Sequence, residues 1–325
     1  MARKNLKNLF IFVADALRYD YTPKSIVKAG TLVPTLAPSL YTPPSFASLV
    51  TSLNPHNHNV RKISDTMNPK LNTVFDLFKN GGYYDHPDDV MSKIVFKHLP
   101  KARELKETKE PFVVVERAME THAPYGKVKH GNELARLKLV GGEYFNKMSK
   151  EGRIKREYRK GAKRVEKHFW MHLKELKEKG IFDRTLIVFT SDHGEMLGER
   201  YLFKKVYAHL FPPCKQLVKV PTVFLNQDLD IEFMRTIDIV PTCLGLMKKR
   251  VFKCDGVDVR NKKINKGLNF IQSPLGIESL SLNSLWRFSD GDIHLMNNAE
   301  IYTKSLIWAF SNIFYLKVLR RRFWY

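Results

Sequence analysis

Cysteine is scarce in this chain. Cys214, Cys243 and Cys254 are odd in number and widely spaced. They offer neither a disulfide framework nor a zinc pattern, which favours a reducing compartment. Long hydrophobic runs are missing too: no segment reaches the roughly 20 apolar residues that a membrane span needs. Met1 to Val13 imitates a secretory leader, with early lysines before Leu9-Phe10-Ile11-Phe12-Val13. The apolar run is too short, Asp15 interrupts it, and no small-residue cleavage site follows, so it reads as a first strand. Recognised nucleic-acid motifs are absent, and the aromatic residues are not interleaved with the basic run in a stacking pattern. The expected location is cytoplasmic, with peripheral membrane contact as an extension.

Basic residues, by contrast, are abundant. The 325 residues include 55 Lys or Arg against 33 Asp or Glu, a formal charge of +22. Such an excess attracts anions: nucleic acid, acidic membrane or phosphorylated or sulfated substrates. Part of it is local, because Lys147 to Lys179 holds thirteen Lys or Arg against five Glu. Runs of this kind are usually a solvated helix face, so charge alone names no partner. The 43% hydrophobic content is ordinary for a folded protein, and the length allows one large core or two modest domains.

The most informative stretch is Leu186-Ile187-Val188-Phe189-Thr190-Ser191-Asp192-His193-Gly194-Glu195. Four apolar residues predict a short buried strand. A carboxylate and an imidazole follow at its carboxyl end, where open α/β sheets bind ligands. Both could face a divalent cation; the plain alternative is a turn with Asp192 capping a helix. Leu9–Val13 followed by Asp15 repeats the pattern, and there too an N-cap is the alternative. Arg18 is either an anion contact or a structural partner for Asp20. In Tyr41-Thr42-Pro43-Pro44-Ser45-Phe46 the two prolines suit a helix start, which places Thr42 at the N-cap. A hydroxyl there feels the positive end of the helix and its free N–H groups, which suits an anionic substrate, although Thr42 could be only a cap.

Together these stretches resemble the alkaline phosphatase/sulfatase superfamily. Asp15 looks like its first metal ligand, and Thr42 to Thr51 with Pro55 and His58 looks like its nucleophile helix. Ser191 to Glu195 looks like its second ligand pair. Arg184-Thr185-Leu186 and the preceding amphipathic helix from Tyr158 to Lys179 are similar as well, the helix burying Ala162, Val165, Phe169, Leu173 and Leu176. Phe112 to Val115 reads as another strand, and its continuation through His122-Ala123-Pro124-Tyr125 resembles the family's His-x-Pro-Tyr segment. Val220–Leu225 and Arg235–Thr242 resemble a later core strand and helix, and Asp255-Gly256-Val257-Asp258 the passage into a smaller C-terminal part. The resemblance runs from about Asn8 to Asp258.

The resemblance implies a three-layer α/β/α sandwich around a mostly parallel sheet. Residues 1–260 would form the catalytic domain and 261–325 a small C-terminal subdomain. It further implies one divalent ion (Ca, Mn, Mg or Zn) on Asp15, Thr42, Asp192 and His193, with Thr42 as nucleophile. His122 would touch the ester or act as general acid. Lys205 and His209 are equal alternatives for a further contact, and Arg18 is a third candidate toward the substrate. No Asp-x-x-x-His pattern for a second ion of that kind is found. Sulfatases of the family carry Cys or Ser where Thr42 stands and Arg where Phe46 stands, and this chain has neither. Gly82-Tyr83-Tyr84 leads into Asp85-His86-Pro87-Asp88-Asp89 rather than a Gly-Lys-Trp-His signature, and Ala16 replaces a second Asp. These departures point to phosphate esters, phosphodiesters in particular, cleaved or transferred. Sulfuric ester hydrolysis is the alternative, and a non-catalytic basic protein binding nucleic acid or an anionic membrane is another. The segment 305–325, with aromatics beside Arg320-Arg321-Arg322, suits either an interfacial helix on an anionic bilayer or a terminal helix docked on the core.

Overall fold

A computed structural model of the chain describes residues 5–84, 89–102, 104–125, 142–201, 204–209, 214–225, 227–261, 269–275, 280–289 and 292–295. Asp85 to Asp88 and the 305–325 segment, on which two expectations rested, lie outside them. Strands β1 (Asn8–Ala14), β2 (Gly30–Leu36), β3 (Asn80–Tyr84), β4 (Lys101–Ala102), β5 (Phe112–Ala118), β6 (Thr185–Thr190), β9 (Lys219–Leu225) and β10 (Met234–Arg235) build one sheet, ordered β10-β2-β9-β6-β1-β5-β3-β4. Only β9 runs against its neighbours, β2 and β6. Between β6 and β9 lies a separate hairpin of β7 (Met196–Tyr201) and β8 (Lys204–Ala208).

The central strands are near-continuous apolar runs because helices cover both faces of the sheet. Along β1, Leu9, Ile11 and Val13 turn to one side and Phe10, Phe12 and Ala14 to the other. The short helices α1 (Lys24–Lys28) and α3 (Pro55–His58) flank α2 (Thr42–Thr51), whose Phe46, Leu49 and Val50 join the first face. The opposite face carries the long helix α5 (Ile154–Glu178), which follows α4 (Gly142–Lys150). Its buried stripe is the predicted one, Ala162, Val165, Phe169, Leu173 and Leu176. The helix starts a turn before the expected Tyr158, because Ile154 is buried ahead of the polar Lys155-Arg156 pair. After α6 (Lys215–Val218) and β9, helix α7 (Thr236–Leu246) returns to the α2 face, where Ile239, Val240 and Leu244 pack. The result is the expected three-layer α/β/α sandwich.

A small antiparallel sheet of β11 (Asn269–Leu275), β12 (Leu280–Ser289) and β13 (Asp292–Leu295) follows. Trp286 and Ile293 from it share a cluster with Leu36, Met196 and Leu217, and Asp292 takes Lys215 at 2.6 Å and Lys219 at 2.8 Å. Among the described residues, no helix is long and apolar enough to cross a membrane.

Candidate active site

β1, β6 and β5 are parallel neighbours, so their carboxyl ends deliver side chains to one place. Asp15 leaves β1 in a sharp turn, with Ala16 in the left-handed region at φ 61°. A non-glycine residue there costs about 1 kcal/mol, and such strain collects at functional sites. The turn aims the Ala16 N–H at Asp192 Oδ1, 3.1 Å away, and the Leu17 N–H at Ser191 Oγ, 3.0 Å away. Tyr158 of α5 pins the same loop, its hydroxyl donating to Ala16 O at 2.6 Å and accepting from Arg18 N at 2.9 Å. Beyond β6, the His193 N–H donates to Asp192 Oδ1 at 2.9 Å. Asp192 thus caps no helix: a strand hairpin follows β6, and the backbone amides of both loops hold the carboxylate. Gly194 lets the chain pass against α6, since a Cβ there would stand 1.9 Å from Gln216 O.

Thr42 Oγ1 lies 3.1 Å from His193 Nε2 and 3.4 Å from Asp15 Oδ2. His193 Nε2 is 3.4 Å from Asp192 Oδ2 and 3.9 Å from Asp15 Oδ1. All four side chains are buried. His193 Nδ1 sits 2.9 Å from Gly194 O, which can only accept, so Nδ1 carries the proton and Nε2 turns a lone pair toward Thr42 and the carboxylates. Asp15 Oδ1 and Asp192 Oδ2 are buried without a hydrogen-bond partner. Two orphaned carboxylate oxygens, a lone pair and a hydroxyl on one spot fit a divalent cation.

The electrostatics agree with a site made for positive charge. Burial disfavours the Asp15 carboxylate, but the Arg117 guanidinium beside it holds it well below the usual carboxylate range. Asp192 is pushed well above the usual carboxylate range, first by burial and then by the charge on Asp15. Two carboxylates this close in a dry pocket cannot both ionise cheaply without a cation between them. Burial holds His193 neutral, as a ligand must be.

Three imidazoles form a run: the His209 ring is 4.2 Å from that of His193 and 5.1 Å from that of His122. Burial pushes His122 down to about 4. His209, also buried, is raised by the Glu195 carboxylate 3.5 Å from its Nδ1. The two imidazoles are thus pushed in opposite directions, His209 up and His122 down.

Several expectations change here. Thr42 is the first residue of α2 rather than its N-cap, which is Tyr41. Pro43 and Pro44 have no N–H, and Ser45 N already donates to Tyr41 O at 3.3 Å. The first turn therefore offers an anion the Thr42 N–H alone, not a cradle of amides. Arg18 clasps Asp20 at 2.8 and 2.7 Å and Glu199 at 2.5 Å, so the structural role is the one seen. Lys205 is exposed on β8, whereas His209 is buried beside His193. His58 is a structural pin, its Nε2 3.0 Å from Ser48 Oγ.

Sequence reasoning missed Arg117, whose Nε donates to Asp15 Oδ2 at 2.6 Å and whose Nη1 reaches Asp89 Oδ1 at 3.3 Å. Glu116-Arg117 at the end of a strand buried on both faces was the available signal, since charges there must be paired. Thr121, donating from its hydroxyl to Asp15 O at 2.6 Å, had none.

Solved structures with this architecture include a 2-O GAG sulfatase, at TM-score 0.65 and 13% identity over 97% of this chain and 92% of that one. The phosphonate monoester hydrolase of Agrobacterium radiobacter aligns at TM-score 0.62 and 14% identity, over 97% of this chain and 95% of that one. The architecture is that of the alkaline phosphatase/sulfatase superfamily. Residues 85–249, about half of the chain, match the model of the family described as Sulfatase, and the chain belongs to that family. It is 29% identical over 267 residues to the low-salt glycan biosynthesis sulfotransferase Agl7 of Haloferax volcanii, covering 78% of this chain and 64% of that protein. Over 89 residues it is 33% identical to the multifunctional alkaline phosphatase superfamily protein PehA of Trinickia caryophylli, covering 25% of this chain and 16% of that protein. The chain thus spans less than two thirds of either relative.

Proposed function

We propose that this sulfatase-family protein is a divalent-metal-dependent group-transfer enzyme acting on phosphate esters, phosphodiesters in particular, with Thr42 as nucleophile. The observation that carries the reading is Thr42 Oγ1, 3.1 Å from His193 Nε2 and 3.4 Å from Asp15 Oδ2, beside two carboxylate oxygens without partners. A divalent ion held by Asp15, Asp192, His193 and Thr42 would supply Lewis acidity, acidifying an adjacent hydroxyl and offsetting charge on the ester oxygens. The rest falls to side chains of this chain. Thr42 gives its hydroxyl proton to solvent, its Oγ attacks phosphorus in line, the bond to the leaving alcohol breaks, and the group passes to Thr42. His122 gives the leaving oxygen its proton; an anionic ester beside it opposes the effect of burial and favours the protonated ring. His209, backed by Glu195, stands against the negative equatorial oxygens. Water or an acceptor alcohol then takes the group from Thr42, and the hydroxyl is restored.

A second reading is sulfuryl transfer, favoured by the 29% identity to a glycan sulfotransferase. Thr42 cannot become the aldehyde that a Cys or Ser supplies, so this route too would use the threonine oxygen directly. Nitrophenyl phosphodiesters, phosphate monoesters and sulfates, offered in parallel with and without a sugar acceptor, separate the readings. On the best substrate, Thr42→Ala should lose about a thousandfold or more in kcat/KM, and Thr42→Ser should retain activity. Near-full turnover by Thr42→Ala would end both readings.

A further inference from the structure

On the opposite face of the sheet, away from Thr42, a second cluster of metal-ligating groups has no part in the chemistry above. His168 and His172 lie four residues apart on α5, so both face the sheet on one side of the helix. Glu116 projects from β5 beneath them, and the three are among the groups whose donor atoms converge within 4.8 Å. His168 Nε2 is 3.1 Å from Glu116 Oε1, and His172 Nε2 is 3.0 Å from Glu116 Oε2. The two Nε2 atoms are 3.2 Å apart. On the far side of each ring a further carboxylate waits: Glu120 Oε1 lies 2.9 Å from His168 Nδ1, and Glu175 Oε2 lies 3.1 Å from His172 Nδ1.

We propose that Glu116, His168 and His172 form a second metal site, for Zn2+, that ties the long helix α5 to strand β5. Two lines of geometry carry it. The spacing is right: with Zn–N and Zn–O bonds of about 2.0–2.1 Å, neighbouring ligand atoms of a tetrahedron sit about 3.3 Å apart, close to the three separations here. The protons are in place as well. A carboxylate only accepts, so Glu120 and Glu175 fix the hydrogen on each Nδ1 and turn each Nε2 inward, the arrangement in which zinc-bound histidines are oriented by carboxylates behind them. Without an ion the same atoms pair as imidazolium and carboxylate, because Glu116, Glu120 and Glu175 raise both rings, so an entering ion takes the place of the proton on each Nε2.

The surroundings decide the kind of site. Phe12 and Phe10 present ring edges to His168 and His172, with centroids 5.3 and 5.5 Å away, giving an apolar floor. The Glu116 side chain is 2% exposed, but those of His168, Glu120 and Glu175 are 20–25% exposed, so an ion can enter and a water can complete the fourth position. Nitrogen and carboxylate donors with tetrahedral spacing suit zinc better than calcium or magnesium, which ask for six or more oxygens. Glu120 also begins the Glu120-Thr121-His122 segment, and Gly161 of α5 passes so close that a Cβ would stand 2.3 Å from Glu120 O. The tie therefore holds the loop that carries His122.

Cobalt titration of the full-length chain tests this, in a background of Asp192→Asn with His193→Gln that disables the first site. The expected result is one Co2+ per chain with the visible absorption of a tetrahedral ion, displaced by Zn2+. Adding His172→Ala should weaken binding by about 100-fold, and Glu116→Gln, which preserves shape, by at least about tenfold. If His172→Ala does not fold by circular dichroism, Glu116→Gln decides, together with the rise in Tm that Zn2+ gives the background variant. No stoichiometric Co2+ in that background, or equal binding and equal Tm rise with Glu116→Gln, overturns the proposal. Either result leaves the Thr42 chemistry untouched.

Discussion

Arg117→Met removes a guanidinium that faces two buried carboxylates while keeping most of the side chain's length. Arg117 reaches Asp15 at 2.6 Å and Asp89 at 3.3 Å, and all three side chains are 0–4% exposed. At an effective dielectric of about 20, unit charges about 4 Å apart interact by about 4 kcal/mol. Removing one partner of a buried pair costs about 3–5 kcal/mol, because the other charge is left dry. We therefore expect a loss of about 3–5 kcal/mol at pH 7 in urea unfolding of the metal-free protein. The pH dependence is the sharper signature. In the wild type, the Asp15 carboxyl titrates below its unfolded value of about 3.9, so its contribution is whole above that pH and is lost only in acid. Without the guanidinium, burial dominates and the folded carboxyl titrates higher than the unfolded one. The variant then binds more protons when folded, and its stability falls as pH rises, by up to about 1.4 kcal/mol per unit. The gap between the two proteins should widen from pH 5 to 7.5. A loss under about 1 kcal/mol, or a gap that does not change with pH, would refute this account of what holds Asp15.

Three further outcomes are expected. His58 is pushed down to about 3, chiefly by burial, and its Nδ1 already accepts from Val60 N at 3.1 Å. Because the unfolded ring binds a proton first, stability should drop by about 1.4 kcal/mol per unit as pH falls below about 6.5, and urea curves of His58→Gln should lack that slope. Gly194→Ala would drive a Cβ to 1.9 Å from Gln216 O, so it should cost about 1–3 kcal/mol and displace His193 and Glu195. Thermal melts with assays beside them check this, and wild-type activity with an unchanged Tm counts against the packing described. Dialysis against a strong chelator should abolish ester turnover, with recovery on adding back one of Ca, Mn, Mg or Zn; turnover that survives exhaustive chelation argues against the ion at Asp15 and Asp192.

Much of the architecture was legible because a parallel sheet writes itself as short apolar runs. Leu9–Val13, Phe112–Val115, Leu186–Phe189 and Val220–Leu225 all lie within strands of the main sheet. The stripe of α5 was legible for the same reason, since burial on one side of a helix imposes a period. Asp15, Asp192 and His193 stood out as polar residues where such runs stop. Less was legible wherever a residue's meaning depends on its neighbour across the fold. Arg117 is one more basic residue until Asp15 and Asp89 surround it. Lys205 and His209 cannot be ranked by position in the chain, because the hairpin that exposes one and leads into the other is set by its packing, Met196 against Leu217 and Trp286 and Leu197 against Phe145 and Tyr158.

What the chain determined by itself is the set of strand ends and the chemistry they carry, because apolar periodicity and backbone limits at proline are local properties. Which of those ends stand side by side was decided only by strand order. That order places β1 between β5 and β6, and so sets Asp15 beside Arg117 on one side and Asp192 on the other. It also lays α5 over β5, bringing two histidines onto Glu116 from 52 and 56 residues away. The physical reason is that burial energy does not depend on separation along the chain: hydrophobic faces choose their partners by area and shape, and the charged residues they carry along meet whatever is opposite.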